Sequence, residues 1–305
     1  MRHFFNLAAH YEEASVIASS SFSKNGGART QNATSAISCA GSAPSGRFEC
    51  RIRACFKQGC QAQDAQDDPV KDSQHIAYLR NVWYTNDRTK HFEFETLNGS
   101  EFEYQPGQFI SMDVRIDGEV CARSYSVASS PHRDNRFDLC LNIVPHGLVS
   151  PWLFHLKPGD QIQFSGPFGL FTLRQPLDPV SAFIATGTGI APIRAMLQYI
   201  YQEPNTAEVW LLFGVRKEAD ILYRSEFEKM ARENPSFHFV PTLSRPEPGW
   251  TGHTGYVQKQ VPKYLTGKLG LHAYVCGLKK MVNDVCQQLG AMGYDETALS
   301  FEKYD

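Results

Sequence analysis

The run Thr186-Gly187-Thr188-Gly189-Ile190-Ala191-Pro192 follows a short apolar stretch and leads into an apolar helical stripe. Two glycines let the backbone come close to a ligand. A helix N-terminus offers unpaired N–H groups, so the turn suits a pyrophosphate. Pro192 belongs in the first helical turn, where its missing donor costs nothing. A tight strand-to-helix turn with no ligand is the plain alternative. The third glycine of the usual dinucleotide fingerprint is absent, and no acid closes the next strand to hold a ribose 2′-hydroxyl. That strand runs instead into Gly214-Val215-Arg216-Lys217, and the following one ends in Thr242-Leu243-Ser244-Arg245. A hydroxyl with guanidinium groups is equipment for a 2′-phosphate, which predicts NADP as the nucleotide, with NAD as the alternative. The plain reading of Arg245, which precedes Pro246, is a solvated surface charge. Earlier in the chain, Arg123-Ser124-Tyr125-Ser126-Val127-Ala128-Ser129-Ser130 sets a cation, an aromatic ring and hydroxyls on one strand. At strand period Arg123 and Tyr125 share one face, and Ser124 and Ser126 the other.

Two kinds of element must position these groups. His91–Thr96, Phe137–Ile143 and Gln161–Phe164 alternate polar and apolar residues, as half-buried strands do. Turn signals separate them at Asn98-Gly99, Pro106-Gly107, Asp117-Gly118 and Pro158-Gly159-Asp160, with no long helical stretch between, so an antiparallel β-barrel is the natural closure. After Pro176 and Pro179 the pattern changes: an apolar run Ser181–Ala185, a stripe of Ile193, Met196, Leu197 and Ile200, then another run Val209–Phe213. Helices over 224–234 and 278–289 and strands over 237–243 and 273–276 extend this βαβ grammar into a doubly wound parallel sheet. Ligands of such sheets lie beyond the carboxyl ends of the strands. The predicted organisation is a disordered extension over 1–73, a β-barrel over 74–175 and an α/β domain over 176–305.

The chain has 305 residues, enough for two cores, and thirty basic residues against thirty-two acidic ones. A net charge of -2 carries no footprint for a phosphate backbone, so nucleic acid is not an expected partner. The longest apolar runs, such as Val209–Val215, are far short of the roughly 20 residues that cross a bilayer, so no membrane span is expected. Eight cysteines do not make a disulfide framework: Cys39, Cys50, Cys55 and Cys60 crowd the start, and Cys121, Cys140, Cys276 and Cys286 are scattered. The Cys50, Cys55, Cys60 spacing is wrong for an iron–sulfur cluster, and no metal site is predicted. Up to Gln63 the acids are Glu12, Glu13 and Glu49 against seven Lys or Arg, the bias of an organellar transit segment. An unstructured extension or an overlong start are the plainer readings, and a cytoplasmic location is expected. Sequons at Asn32 and Asn98 are short enough to arise by chance.

The two halves together carry a longer set of motifs: Arg123–Ser129; Gly147-Leu148-Val149-Ser150-Pro151-Trp152-Leu153; Gly166-Pro167-Phe168-Gly169-Leu170-Phe171; Gly187–Pro192; Cys276-Gly277-Leu278-Lys279; and Phe301-Glu302-Lys303-Tyr304. In that order and spacing the chain from about 75 to 305 resembles the ferredoxin–NADP reductase family, closest in look to its bacterial ferredoxin or flavodoxin reductases. The resemblance implies an FAD-binding barrel followed by an NAD(P)-binding domain, with FAD and NADP as cofactors. It implies that Arg123 pairs with the FAD pyrophosphate, Tyr125 packs on the isoalloxazine and Ser126 sits near its reactive nitrogen, with Ser124 also among the cofactor-binding residues. Asn142 and Ile143 end a flavin-side strand, and Gly147, Leu148, Val149 and Ser150 supply donors to the flavin phosphates. Thr186, Gly187, Thr188, Gly189 and Pro192 hold the second nucleotide, Arg216, Ser244 and Arg245 its 2′-phosphate, and Gly277 and Leu278 its nicotinamide end. Cys276 and Glu302 border the nicotinamide pocket, and Tyr304 covers the flavin face.

The plain readings are a small buried residue for Cys276 and a solvated C-terminal carboxylate for Glu302. Asp305 follows Tyr304, whereas plant-type members end on the tyrosine. The iron–sulfur domain of oxygenase reductases is expected to be missing, so electrons would leave the flavin directly for a small acidic carrier, ferredoxin or flavodoxin. Arg80, Arg88, Lys90 and Lys157 are candidates to meet such a partner. The expected state is a monomer. A reductase serving a cytochrome or oxygenase with NADH, and a flavin-binding regulatory subunit without turnover, are the alternatives.

Overall fold

The computed structural model describes residues 74–97, 102–116, 118–131 and 135–304. The chain divides into two units, Met1–Gln66 and Asp67–Asp305, and all described residues belong to the second. The expected disorder over 1–73, the four early cysteines, Asn32, Asn98-Gly99, Asp117 and Asp305 lie outside the described residues.

Six strands build the first sheet: β1 (Gln74–Asn86), β2 (Thr89–Thr96), β3 (Phe109–Ile116), β4 (Glu119–Ser126), β5 (Arg136–Asn142) and β6 (Gln161–Phe168). All pairs are antiparallel, in the order β4-β3-β6-β1-β2-β5. The two edge strands meet through a bridge between Val127 and Leu139 and a bond from Ala128 N–H to Asp138 O at 2.8 Å, which closes the sheet into a barrel. Alternation sends Leu79, Phe92, Phe94, Ile110, Met112, Phe137 and Phe164 inward. Burying each such side chain contributes about 1.5–3 kcal/mol. A short helix, α1 (Val149–His155), lies between β5 and β6.

The second sheet is parallel throughout: β7 (Val180–Thr186), β8 (Glu208–Val215), β9 (Phe237–Leu243), β10 (His253–Thr254), β11 (Leu271–Leu278) and β12 (Leu299–Tyr304), in the order β10-β9-β8-β7-β11-β12. Helices α2 (Ile190–Ile200), α3 (Arg224–Glu233), α4 (Val261–Leu265) and α5 (Lys279–Ala291) complete it. Because both faces are covered, β7 and β11 are buried almost end to end, as unbroken apolar runs are in such sheets. One face packs on α2 through Phe183, Tyr274, Ile193 and Leu197, the other on α4 and α5 through Ile184, Val275, Val261 and Val282. Ala128, Cys140, Phe171 and Leu173 from the barrel side join the α2 face. The strand order reverses between β8 and β11 on either side of β7, which makes the carboxyl end of β7 the switch point.

Candidate active site

β4 and β12 both end at this switch point. Parallel register sets Cys276 of β11 level with Glu302 of β12 and with Ala185 of β7, one residue before Thr186 and the glycine turn. Period 2 then places Glu302 and Tyr304 on the same face of β12, toward the barrel. There Ser126 Oγ donates to Glu302 Oε1 at 3.0 Å and lies 2.8 Å from the Tyr304 hydroxyl. Cys276, level with Glu302 on the neighbouring strand, lies near enough to Tyr304 for the two to influence each other's titration. Four side chains from three strands of two sheets thus form one network.

Its electrostatics follow from burial. Burial raises the Glu302 carboxyl above its ordinary 4.5, opposed by the bonds from Ser126 and Tyr304. The Cys276 thiol is pushed well above 9.0 by burial, with the Glu302 charge adding to it. Burial, then the charges of Cys276 and Glu302, keep the Tyr304 phenol protonated. Tyr125, on the opposite wall, is raised to about 12 by burial against the pull of Arg123. The network therefore holds a protonated thiol, a protonated phenol and a carboxyl raised above its ordinary value.

A cleft of about 1290 Å³ opens from this network. Arg123, Ser124, Tyr125, Ser126 and Asn142 form one wall, and Thr186, Gly187, Thr188 and Leu278 the other. Arg216, Ser244 and Arg245 lie along its far reach, and Glu302 and Tyr304 line it near Ser126. Arg245 N–H donates to Arg216 O, which holds the two strand ends together, while neighbouring Lys217 is paired with Glu247 at 3.0 Å. Gly189, Pro192, Cys276 and Gly277 are buried behind the lining. A Cβ on Gly189 would come within 2.5 Å of Cys276 O, so only glycine lets the turn sit this close to β11. Ile143, Gly147, Leu148, Val149 and Ser150 follow β5 outside the lining, tied to it where Ser150 Oγ accepts from Val144 N–H at 2.9 Å.

Sequence reasoning missed a second set of groups. Arg194 on α2 donates to Asp138 at 3.0 Å, to Ala128 O at 2.8 Å and to Glu226 at 2.8 Å, and its guanidinium lies over the Tyr223 ring. His91 Nε2 is 3.3 Å from Asp138, and its Nδ1 is 2.8 Å from the Tyr223 hydroxyl. His91, Glu93 and Asp138 are close enough to hold a metal, but Arg194 already supplies the cation at Asp138. The available signal was the spacing of Arg194, Gln198 and Gln202 at i, i+4 and i+8, a polar stripe beside the apolar one on a helix that had to be buried.

An oxidoreductase FAD-binding domain model matches residues 79–173, and an oxidoreductase NAD-binding domain model matches 183–287. "Ferredoxin--NADP reductase B" of Sorangium cellulosum is 39% identical over 224 residues, 71% of this chain and 91% of that protein. The chain belongs to the ferredoxin–NADP reductase family. As a member of that family it is a flavin oxidoreductase with an FAD-binding and an NAD-binding domain. The "Phenol hydroxylase P5 protein" of Acinetobacter pittii is 32% identical over 192 residues, 61% of this chain and 54% of that protein, so the chain spans about half the length of this relative. Among solved structures, a ferredoxin NADP+ reductase from Neisseria gonorrhoeae with bound FAD and NADP superposes with a TM-score of 0.66 at 22% identity, covering 75% of this chain and 98% of that one. Among the described residues no helix is long and apolar enough to cross a membrane.

The family's two cofactors fit this cleft. Its volume exceeds the roughly 300–1,000 Å³ that a single small-molecule site takes. Arg123 bonds only to the neighbouring Ala122 O and enters no ion pair among the described residues, which leaves its guanidinium for an anion. Gly187 stands at φ +55 with open space where a Cβ would be, so its backbone is open to close approach.

Proposed function

We propose that this reductase takes a hydride from NADPH and passes single electrons to a small acidic carrier, ferredoxin or flavodoxin. The observation that carries this reading is the meeting of Ser126, Cys276, Glu302 and Tyr304 at the seam of the two lobes. Bound FAD supplies the chemistry that links a two-electron hydride donor to a one-electron acceptor. The protein's task is then to bind, orient and shield.

In this reading Arg123 and Ser124 hold the flavin's diphosphate region, with Asn142 and the Gly147–Ser150 turn beside it. The turn Thr186–Gly189 presents its N–H groups to the NADPH pyrophosphate, and Pro192 leaves that end of α2 unobstructed. Arg216, Ser244 and Arg245 take the 2′-phosphate; Lys217 is already neutralised by Glu247. Gly277 and Leu278 edge the nicotinamide position, and the small Cys276 leaves room there. Tyr304 covers that position and must swing aside, breaking its bond to Ser126 Oγ. Glu302, whose carboxyl burial holds above its ordinary value, accepts from Ser126 Oγ and fixes that hydroxyl beside the flavin position. Of the four candidate basic residues, Arg88 lines the cleft, whereas Arg80 pairs with Glu95 and Lys90 bonds to Phe154 O. Of these candidates Arg88 is therefore the one that lines the cleft and the cation proposed to meet an acidic carrier.

The half-length match to a phenol hydroxylase component supports a second reading, a reductase that serves an oxygenase or cytochrome with NADH. Anaerobic titration with NADPH and separately with NADH, followed at the flavin absorption band, tests both. Bleaching by NADPH at much lower concentration supports the first reading and bleaching by NADH the second. A yellow protein that neither nucleotide bleaches would be a binding subunit without turnover.

A further inference from the structure

The polar stripe on α2 contacts the barrel where the flavin-side strand runs on past Ser126. Arg194 Nη1 donates to Ala128 O at 2.8 Å and to Asp138 Oδ2 at 3.0 Å, and its Nε donates to Glu226 Oε2 at 2.8 Å. One turn on, Gln198 Oε1 accepts from Ser130 N–H at 3.0 Å while its Nε2 donates to Glu226 Oε1 at 2.9 Å. A further turn on, Gln202 Nε2 donates to Ser130 Oγ at 2.9 Å. Three residues at i, i+4 and i+8, the last just past the end of α2, thus bond along one segment, Ala128–Ser130. Asp138 is in turn braced by His91, and His91 by Tyr223. The Arg194 side chain is only 12% exposed.

The two ends of this arrangement matter. The same helix starts at the Gly187–Gly189 turn, and the segment it grips starts two residues after Ser126. Apolar burial alone holds two lobes together but is non-directional, so it tolerates sliding along the helix axis. Hydrogen bonds with defined donors and acceptors do not. We infer that Arg194, with Gln198 and Gln202, is a positioning residue for hydride transfer: it fixes how far the nucleotide-binding end of α2 stands from the flavin-side strand. This rests on the reductase reading above. Arg194 lies behind the cleft lining and touches neither ligand position, so it acts through α2 and the Ala128 segment.

The test uses the full-length, FAD-loaded protein and the variants Arg194→Lys and Gln198→Ala/Gln202→Ala. Lysine keeps the charge but cannot reach three acceptors in three directions. Stopped-flow bleaching by NADPH gives a limiting rate and a half-saturation concentration. Oxidation of the dithionite-reduced protein by ferricyanide reads the later step alone. Misplacement of about 1 Å can cost on the order of a hundredfold in rate. The expected result for Arg194→Lys is a limiting rate lower by about tenfold or more, with half-saturation and ferricyanide oxidation unchanged. A merely structural role would lower the melting temperature and leave the limiting rate alone, and that outcome overturns the inference. So does a raised half-saturation with an unchanged limiting rate. Where Arg194→Lys does not yield FAD-loaded protein, the glutamine pair is judged by the same criteria. Failure of NADPH to bleach the unsubstituted protein would instead overturn the reductase reading.

Discussion

Tyr304 ends β12 with its hydroxyl 2.8 Å from Ser126 Oγ, while Ser126 donates independently to Glu302. Removing the ring therefore frees volume without dismantling the Ser126–Glu302 pair. If the ring competes with nicotinamide, Tyr304→Ser should raise kcat/KM with NADH, since a nucleotide lacking the 2′-phosphate has the least binding energy with which to displace it. Steady-state kinetics with both nucleotides check this, and unchanged values would take the ring out of the site. Arg245 poses the complementary case, because a charge-assisted contact of about 1.5–3 kcal/mol is available only to the phosphorylated nucleotide. Arg245→Ala should raise the KM for NADPH by roughly ten- to a hundredfold and leave that for NADH near its original value. Equal effects on both would remove the 2′-phosphate assignment. These residues were legible because chemistry concentrated them in short motifs. Glu302 was less so: the sequence offers a solvated carboxylate as readily, and only the pairing of β12 with β11 buries it beside Cys276.

Elements were legible where burial made their sequences uniform. β7, β8, β9 and β11 stand in the middle of the parallel sheet, and the runs that mark them are long and apolar. β12 escaped notice because it is an edge strand of mixed polarity, with Phe301 49% exposed, and nothing local distinguishes it from a tail. The thirteen residues of β1 were missed because their regular alternation ends at the irregularity between Leu79 and Asn81. The glycine turn before α2 is a case where element and residue are inseparable. In Gly189→Ala the new Cβ would meet Cys276 O at 2.5 Å and Gly277 Cα at 2.8 Å, so α2 must move off β11. Overpacking of this kind costs about 1–3 kcal/mol, occasionally more. Urea unfolding should show that loss, and NADPH affinity should fall with it because the displaced atoms are those of the turn. Gly118→Ala is the control: at φ +87 with open space around it, it should cost only the backbone strain, about 1–2 kcal/mol, and leave NADPH affinity alone.

At the scale of the whole molecule the lobes are joined by charge as well as by apolar contact, and that makes their union pH-dependent. Burial alone would raise the Asp138 carboxyl, but the bond and charge of His91 and the charge and bond of Arg194 outweigh it and hold the group below its ordinary 3.8. Between the lowered folded value and 3.8 the unfolded chain binds more protons than the folded one, so stability rises with pH in that window. The contribution is fully present above 3.8 and is lost as pH falls through the folded value. Glu302 works the other way: its folded value lies above 4.5, so it lowers stability as pH rises past that point. Asp138→Asn isolates the first effect, since both proteins keep Glu302. Breaking a buried ion pair costs about 3–5 kcal/mol, so the variant should be less stable at neutral pH by an amount of that order. The gap should close as pH falls through the acid window, because the unsubstituted protein loses there what the variant never had. Urea midpoints measured from about pH 6 down to about pH 2 would show converging profiles; parallel ones would mean that Asp138 is not held below its ordinary value by His91 and Arg194. The polar stripe headed by Arg194 marks only one side of this bond in the sequence; His91 and Asp138 lie on two other elements, β2 and β5, that only the closed barrel brings to α2.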